Sequence, residues 1–179
     1  MKTVLISIQP KWCELIASGK KTVEVRKTKP KLETPFKVYI YETKEYDTIF
    51  GKGSPKKVCV SGGRVIGEFV CESIESYTSD FFEEQDERDT QEIIDFLDAS
   101  CLYYDELVSY VGLKKFYGWY ISDLVIYDEP REFSEFHSVG WKKAKNGVAL
   151  TFEEEKTWQI TRPPQSWCYV EEIEREKQA

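Results

Sequence analysis

Ser18-Gly19-Lys20-Lys21-Thr22-Val23-Glu24-Val25-Arg26-Lys27 is the stretch on which the reading of this chain turns. Val23 and Val25 alternate with Thr22, Glu24 and Arg26, the period of a strand with one apolar and one polar face. Gly19 closes the helix before it, because glycine best tolerates a left-handed cap. That helix opens at Pro10, where a missing N–H costs nothing, and Trp12, Leu15 and Ile16 form its apolar stripe at i, i+3, i+4. Further upstream, Val4 to Ile8 is β-branched and short, a strand. The chain therefore begins strand–helix–strand, with a lysine at the junction and an acid and a guanidinium on one strand face. Such a trio can position a phosphate or a base: Lys as point charge, Arg as planar fork, Glu as acceptor for an exocyclic amine. An edge strand uses similar charges to discourage pairing with other chains, and spacing alone leaves both readings open.

Outward from this segment, Phe36 to Tyr41 reads as a strand, followed by a flexible basic loop at 51–57 that ends in Lys56 and Lys57. Val58 to Val60 and Arg64 to Ile74 read as strands joined by the Gly62-Gly63 turn. That glycine-rich run lacks the Lys-Ser/Thr ending of a phosphate loop and leads into a strand. Asp89-Thr90-Gln91-Glu92 offers helix-start signals before Ile93, Ile94, Phe96 and Leu97, and 104–110 predicts a second helix stopped by Gly112. Strand signals return at Tyr117 to Tyr127, broken by Pro130, and again at 156–160 and 167–170. The tail from Glu171 reads as a charged helix. Short strands around one early helix predict an α+β domain on a partly closed β-barrel with flanking helices. The expected organisation is one domain over 1–179 with a helical insertion at about 79–113.

Composition bounds the function. With 179 residues, 41% hydrophobic and 15% aromatic, the chain can bury a core of its own. The net charge of −7 argues against bulk electrostatic binding of nucleic acid. Its distribution is uneven: residues 1–67 hold 14 Lys/Arg against 6 Asp/Glu, and 68–138 hold 4 against 19. A basic face and an acidic segment can thus coexist on one fold. Five scattered cysteines without a Cys-x-x-Cys pair read as reduced thiols, and a single histidine, His137, leaves no ligand set for zinc. No apolar run is long enough to span a bilayer, and the opening residues lack the pattern of a signal peptide, so a cytoplasmic location is expected. No metal and no cofactor is expected.

Leu5 to Trp12 followed by Gly19 to Lys27 resembles the ASCH-domain family, whose signature is a strand, a short helix and then Gly-x-Lys-x-x-Glu-x-Arg. Gly19, Lys21, Glu24 and Arg26 occupy its four positions. Ile66 to Phe69, Trp119 to Leu124 and Arg162 to Trp167 also look like members from bacteria and their phages, so the resemblance covers roughly 1–75 and 117–172. It implies a PUA-like β-barrel with a cleft lined by the signature strand, and binding of RNA or a modified nucleobase. One small branch of the family hydrolyses acetylcytidine through a Lys–Thr–Glu set. Its lysine matches Lys21, but its threonine falls at Glu24, so that activity does not carry over. Other members have been described as ribonucleases.

The leading expectation is an RNA- or modified-nucleotide-binding module. Lys21 and Arg26 would meet phosphate or carbonyl oxygens and Glu24 a base edge, with Lys20 and Thr22 beside them. Tyr41 or Trp119 would supply a stacking face, the 51–57 loop with Lys56 and Lys57 would close over the ligand, and Tyr120 is a further candidate. Ser122, Arg162, Gln165 and Ser166 complete the candidate set, while Trp12 and Phe69 are assigned to packing. The second expectation is a hydrolase on a modified nucleoside or RNA, with Lys21 as base or electrostatic stabiliser and Glu24 as proton shuttle. The third is an adaptor whose acidic 80–98 helix meets a basic protein partner. Oligomeric state is not legible from the sequence.

Overall fold

The computed structural model describes residues 2–50, 54–78, 81, 87–112, 114–140 and 156–173. The first elements follow the sequence pattern: β1 (Lys2–Ile8), α1 (Pro10–Ala17) and β2 (Val23–Arg26). Then come β3 (Phe36–Glu42), β4 (Glu45–Ile49), β5 (Lys56–Ser61) and β6 (Val65–Tyr77). Two helices, α2 (Glu87–Ser100) and α3 (Tyr104–Val111), separate β6 from β7 (Phe116–Arg131). The described chain closes with β8 (His137–Gly140), β9 (Lys156–Gln159) and β10 (Trp167–Glu171).

Eight strands form one mixed sheet in the order β2-β7-β6-β3-β1-β10-β8-β9, and β4 and β5 form a separate ribbon. The architecture is α+β, as expected, but the sheet does not close into a barrel: β2 and β9 are its two ends. The hairpin expected across Gly62-Gly63 is also absent. β5 pairs with β4, a strand that the polar sequence of 45–49 did not suggest, while β6 pairs with β3 and β7. β7 runs on through Pro130 to Arg131. Of the tail expected to be helical, Glu171 ends β10, and 174–179 lie outside the described residues.

β1 lies between β3, parallel to it, and β10, antiparallel, and is buried from Thr3 to Ile8. Its alternate residues serve two cores. Val4, Ile6 and Ile8 pack with Ile16, Val38, Ile40, Phe69 and Trp119, whereas Leu5 packs on the other face with Tyr39, Tyr41, Phe136 and Val170. A third core lies under the helices, where Phe96 and Leu107 meet Val23, Val25, Tyr77 and Phe116. The helices thus cover the apolar face of β2 that its alternation anticipated.

Gly118 on β7 permits this contact. A Cβ there would lie 2.9 Å from a ring carbon of Phe96 and 3.1 Å from a methyl of Val23. Gly118→Ala is therefore expected to destabilise the fold by about 1–3 kcal/mol through overpacking. Urea denaturation would read this as a lower midpoint with unchanged slope.

Candidate functional site

β2 is an end strand, so it is positioned like a guarded edge. Its charges are nonetheless buried: Lys21, Glu24 and Arg26 are 3%, 6% and 7% exposed. An aggregation guard would face solvent, and these side chains instead line a cavity of about 480 Å³. That volume falls in the range of small-ligand sites.

Four elements build the charged floor. After α1, Gly19 adopts φ +72°, and the turn it allows brings the Lys21 N–H onto the Leu15 carbonyl at 3.0 Å. The Lys21 ammonium, so placed, donates to the Ser100 carbonyl at 2.6 Å and lies 3.5 Å from Glu24 Oε2. Ser100 ends α2, and the next residue, Cys101, holds φ 52°, a conformation uncommon outside glycine. Arg26 meets Glu24 Oε1 at 2.9 Å and donates to the Ser7 carbonyl of β1 at 2.7 Å. The Glu24 carboxylate is thus held between two cations, one on each oxygen. Burial lowers the Lys21 pKa from the usual 10.5 even with Glu24 opposing the shift. Arg26 Nε is buried with no hydrogen-bond partner.

The walls come from segments distant in sequence. Gln9 and Trp12 stand at the start of α1, and the Lys21 ammonium is 5.1 Å from the Trp12 ring centroid. Leu102, Glu106 and Tyr110 come from the α2–α3 segment. Glu106 pairs with Lys11 at 3.2 Å, linking α3 to α1. Burial raises the Tyr110 pKa, with Arg26 opposing. Pro164 and Gln165 are brought in because Ser7 bonds that segment twice, its N–H to the Ser166 carbonyl at 2.8 Å and its hydroxyl to the Pro164 carbonyl at 2.6 Å.

Of the candidate residues, Lys21, Glu24, Arg26 and Gln165 share this cavity. Lys20 and Thr22 are exposed neighbours, and Ser166 contributes backbone. Trp119 offers no stacking face: it is 0% exposed, packed against Phe36 and Trp167. Tyr41 is buried in the core of the opposite sheet face. Tyr120 shares the Glu75 carboxylate with Tyr77, and Ser122 donates to the Val70 carbonyl. Neither lines the cavity. Arg162 is exposed, and Lys56 and Lys57 sit at the far end of the β4–β5 ribbon from Thr43, its cavity-lining base. His137 is exposed on β8, and the described residues hold no cluster suited to a metal ion. Trp12 and Tyr110 were missed as site residues. Trp12 follows Gln9-Pro10 at a strand-to-helix junction, a signal that was available; Tyr110 had none.

An open-sheet α+β domain whose end strand, with the turn before it, buries Lys, Glu and Arg in a cavity is the class these features define. The sequence model of the ASCH domain matches residues 6–156, and the chain belongs to that family, within the PUA-like superfamily. The family is generally linked to RNA binding. Crystal structures of ASCH from Zymomonas mobilis share the fold. The unsubstituted protein has a TM-score of 0.57 at 19% identity, over 94% of this chain and 87% of that one. Its serine-to-alanine mutant gives 0.58 at 18% over 94% and 88%, and its tyrosine-to-phenylalanine mutant 0.58 at 19% over 96% and 91%. No curated protein sequence matches the chain. No described helix is long and apolar enough to cross a membrane.

Removing one member of a buried ion network strands the others. Glu24→Ala should therefore cost about 3–5 kcal/mol of stability, while Lys20→Ala, one residue from Lys21 but exposed, should stay within about 0.5 kcal/mol. Chemical denaturation of the two variants side by side measures the contrast.

Proposed function

We propose that the protein binds RNA by taking one unpaired base into the Lys21–Glu24–Arg26 cavity. The observation that carries this reading is the buried ion network, two cations sharing one carboxylate, on the floor of a cavity of about 480 Å³. Both cations are already engaged by Glu24 and by backbone carbonyls, so few donors are left free, and the one positive charge in excess favours the electron-rich carbonyl edge of a base. Glu24 has further acceptor capacity for an exocyclic amine, and the orphaned Arg26 Nε marks a donor that a small rearrangement would bring to a base carbonyl. Trp12 and Tyr110 offer ring surface at the walls. Phosphates fall to exposed lysines near the site in sequence, Lys11 and Lys20, which position the strand without reading it.

A second reading rests on Lys21. Its burial favours the neutral amine more than in an ordinary lysine, and Glu24 stands 3.5 Å away. The pair suits proton transfer in hydrolysis of an acylated nucleoside, with Lys21 as base and Glu24 as shuttle. Turnover of acylated cytidine that disappears in Glu24→Gln would favour this reading over binding alone.

The primary test is fluorescence anisotropy with short single-stranded RNA, alongside intrinsic tryptophan emission. Trp12→Ala is expected to cost about 1–3 kcal/mol of affinity, the worth of one stacked base. Lys21→Ala and Glu24→Gln, each checked for folding, should weaken binding as well. Unchanged affinity in all three variants rejects the cavity as the RNA site.

A further inference from the structure

Tyr110 forms part of the cavity wall, and the Lys27 ammonium lies 4.8 Å from its ring centroid. Arg26, on the cavity floor, stands directly opposite Tyr117 in the β2–β7 register, so the two share a face with their Cβ atoms about 5 Å apart. Two more ammonium groups converge on the half-buried Tyr117 ring, Lys29 at 5.7 Å and Lys115 at 5.6 Å from its centroid. All three distances fall within the reach of cation–π attraction. The backbone around Lys29 is pegged on both sides. Trp167 Nε1 donates to the Thr28 hydroxyl at 3.0 Å, the Lys31 N–H donates to the Tyr169 hydroxyl at 2.7 Å, and Pro30 between them is buried.

The charges of this surface are uncompensated. Lys11, Lys37, Arg64 and Arg131 each meet a carboxylate. Lys27, Lys29 and Lys115 are exposed, and no ion pair among the described residues takes up any of them. Glu75, level with Gly118 on β6, is bonded instead to Tyr77 and Tyr120, whose rings pack under the helices. Lysines guard exposed sheet edges. That role does not account for Lys115, which leads into the interior strand β7, nor for Lys29, which lies beyond the end of β2. An ammonium resting on a ring keeps its N–H donors for a phosphate oxygen, and the ring beside it offers a base a face that a duplex would hide.

We propose that this surface is the track of single-stranded RNA leaving the cavity. Phosphates next to the inserted base meet Lys27, then Lys29 and Lys115, and Tyr117 offers ring surface to a neighbouring base. The inference rests on the reading that the cavity takes one unpaired base. Lys20 precedes β2 and Lys27 follows it, so the track and the lysines of the α1 side bracket the strand that carries Glu24 and Arg26.

The test is the salt dependence of anisotropy with labelled single-stranded RNA of about 8 nucleotides. Each phosphate contact on a single strand contributes about 0.7 to the slope of log affinity against log salt. The variant Lys27→Ala/Lys29→Ala/Lys115→Ala is expected to bind more weakly at low salt, with a slope smaller by about 2. Trp12→Ala is expected to weaken binding at unchanged slope, and Lys56→Ala/Lys57→Ala, at the far end of the β4–β5 ribbon, to leave the slope as it is. An unchanged slope in the triple variant overturns the track while leaving the cavity reading to Trp12→Ala. A fall in slope with no effect of Trp12→Ala keeps the lysine surface and rejects the cavity as the base site. An equal loss per charge in Lys56→Ala/Lys57→Ala reduces the effect to overall field and overturns the track, as does RNA that does not bind at all. Thermal unfolding checks the triple variant; should it not fold, the three single variants decide, each expected to lower the slope by about 0.7.

Discussion

Glu24 is the point on which the site depends. A carboxylate taken out of water must be paired, and here each of its oxygens meets a cation that is itself buried. Four separate elements have to arrive together for this to hold. β2 sets Glu24 and Arg26 two residues apart on one face, and the Gly19 turn delivers Lys21. The end of α2 supplies the Ser100 carbonyl, and β1 supplies that of Ser7. Apolar side chains of similar volume would fill the same space with at least equal stability. A polar filling beside an open cavity is what a binding site needs and a core does not.

Much of this N-terminal unit was legible because its signals are local. Pro10, the Trp12-Leu15-Ile16 stripe, Gly19 and the Val23–Arg26 alternation each act within a few residues, and the observed elements follow them closely. What failed was pairing at a distance. Val58 to Val60 was recognised as extended, but Lys56 and Lys57 were read as loop although β5 includes them, and Gly62-Gly63 suggested a hairpin with β6, whereas the partner is the polar β4. Nor does any local pattern say whether a sheet closes. That depends on how all its strands tilt and stagger, which alternation along one strand does not encode.

The aromatic residues show the same limit. Trp119 and Tyr41 were attractive as stacking faces because they lie on strands, yet strand position sets no exposure by itself. β7 runs between β2 and β6, and its Trp119 is enclosed by Phe36 and Trp167. Trp12 and Tyr110 stand at helix positions where α1 and α3 border an opening, and there a ring keeps one part dry and another reachable. Burial in a mixed sheet is decided by neighbours that come from elsewhere in the chain.

The uneven charge of the sequence finds its explanation in the same place. The basic first third and the acidic segment at 68–138 are not two separate faces. They meet at the cavity, where Lys21 binds the end of α2 and Lys11 pairs with Glu106 of α3. Cutting out 79–113 would therefore remove a wall of the cavity and the acceptor of Lys21, so the acidic helices belong to the site rather than hang from it. A chain of net charge −7 cannot draw RNA by its overall field. On the proposed reading its affinity comes from short-range chemistry at this cavity, where Lys21 and Arg26 are buried against Glu24 and Lys21 is held by the end of α2, within the segment that makes the protein acidic.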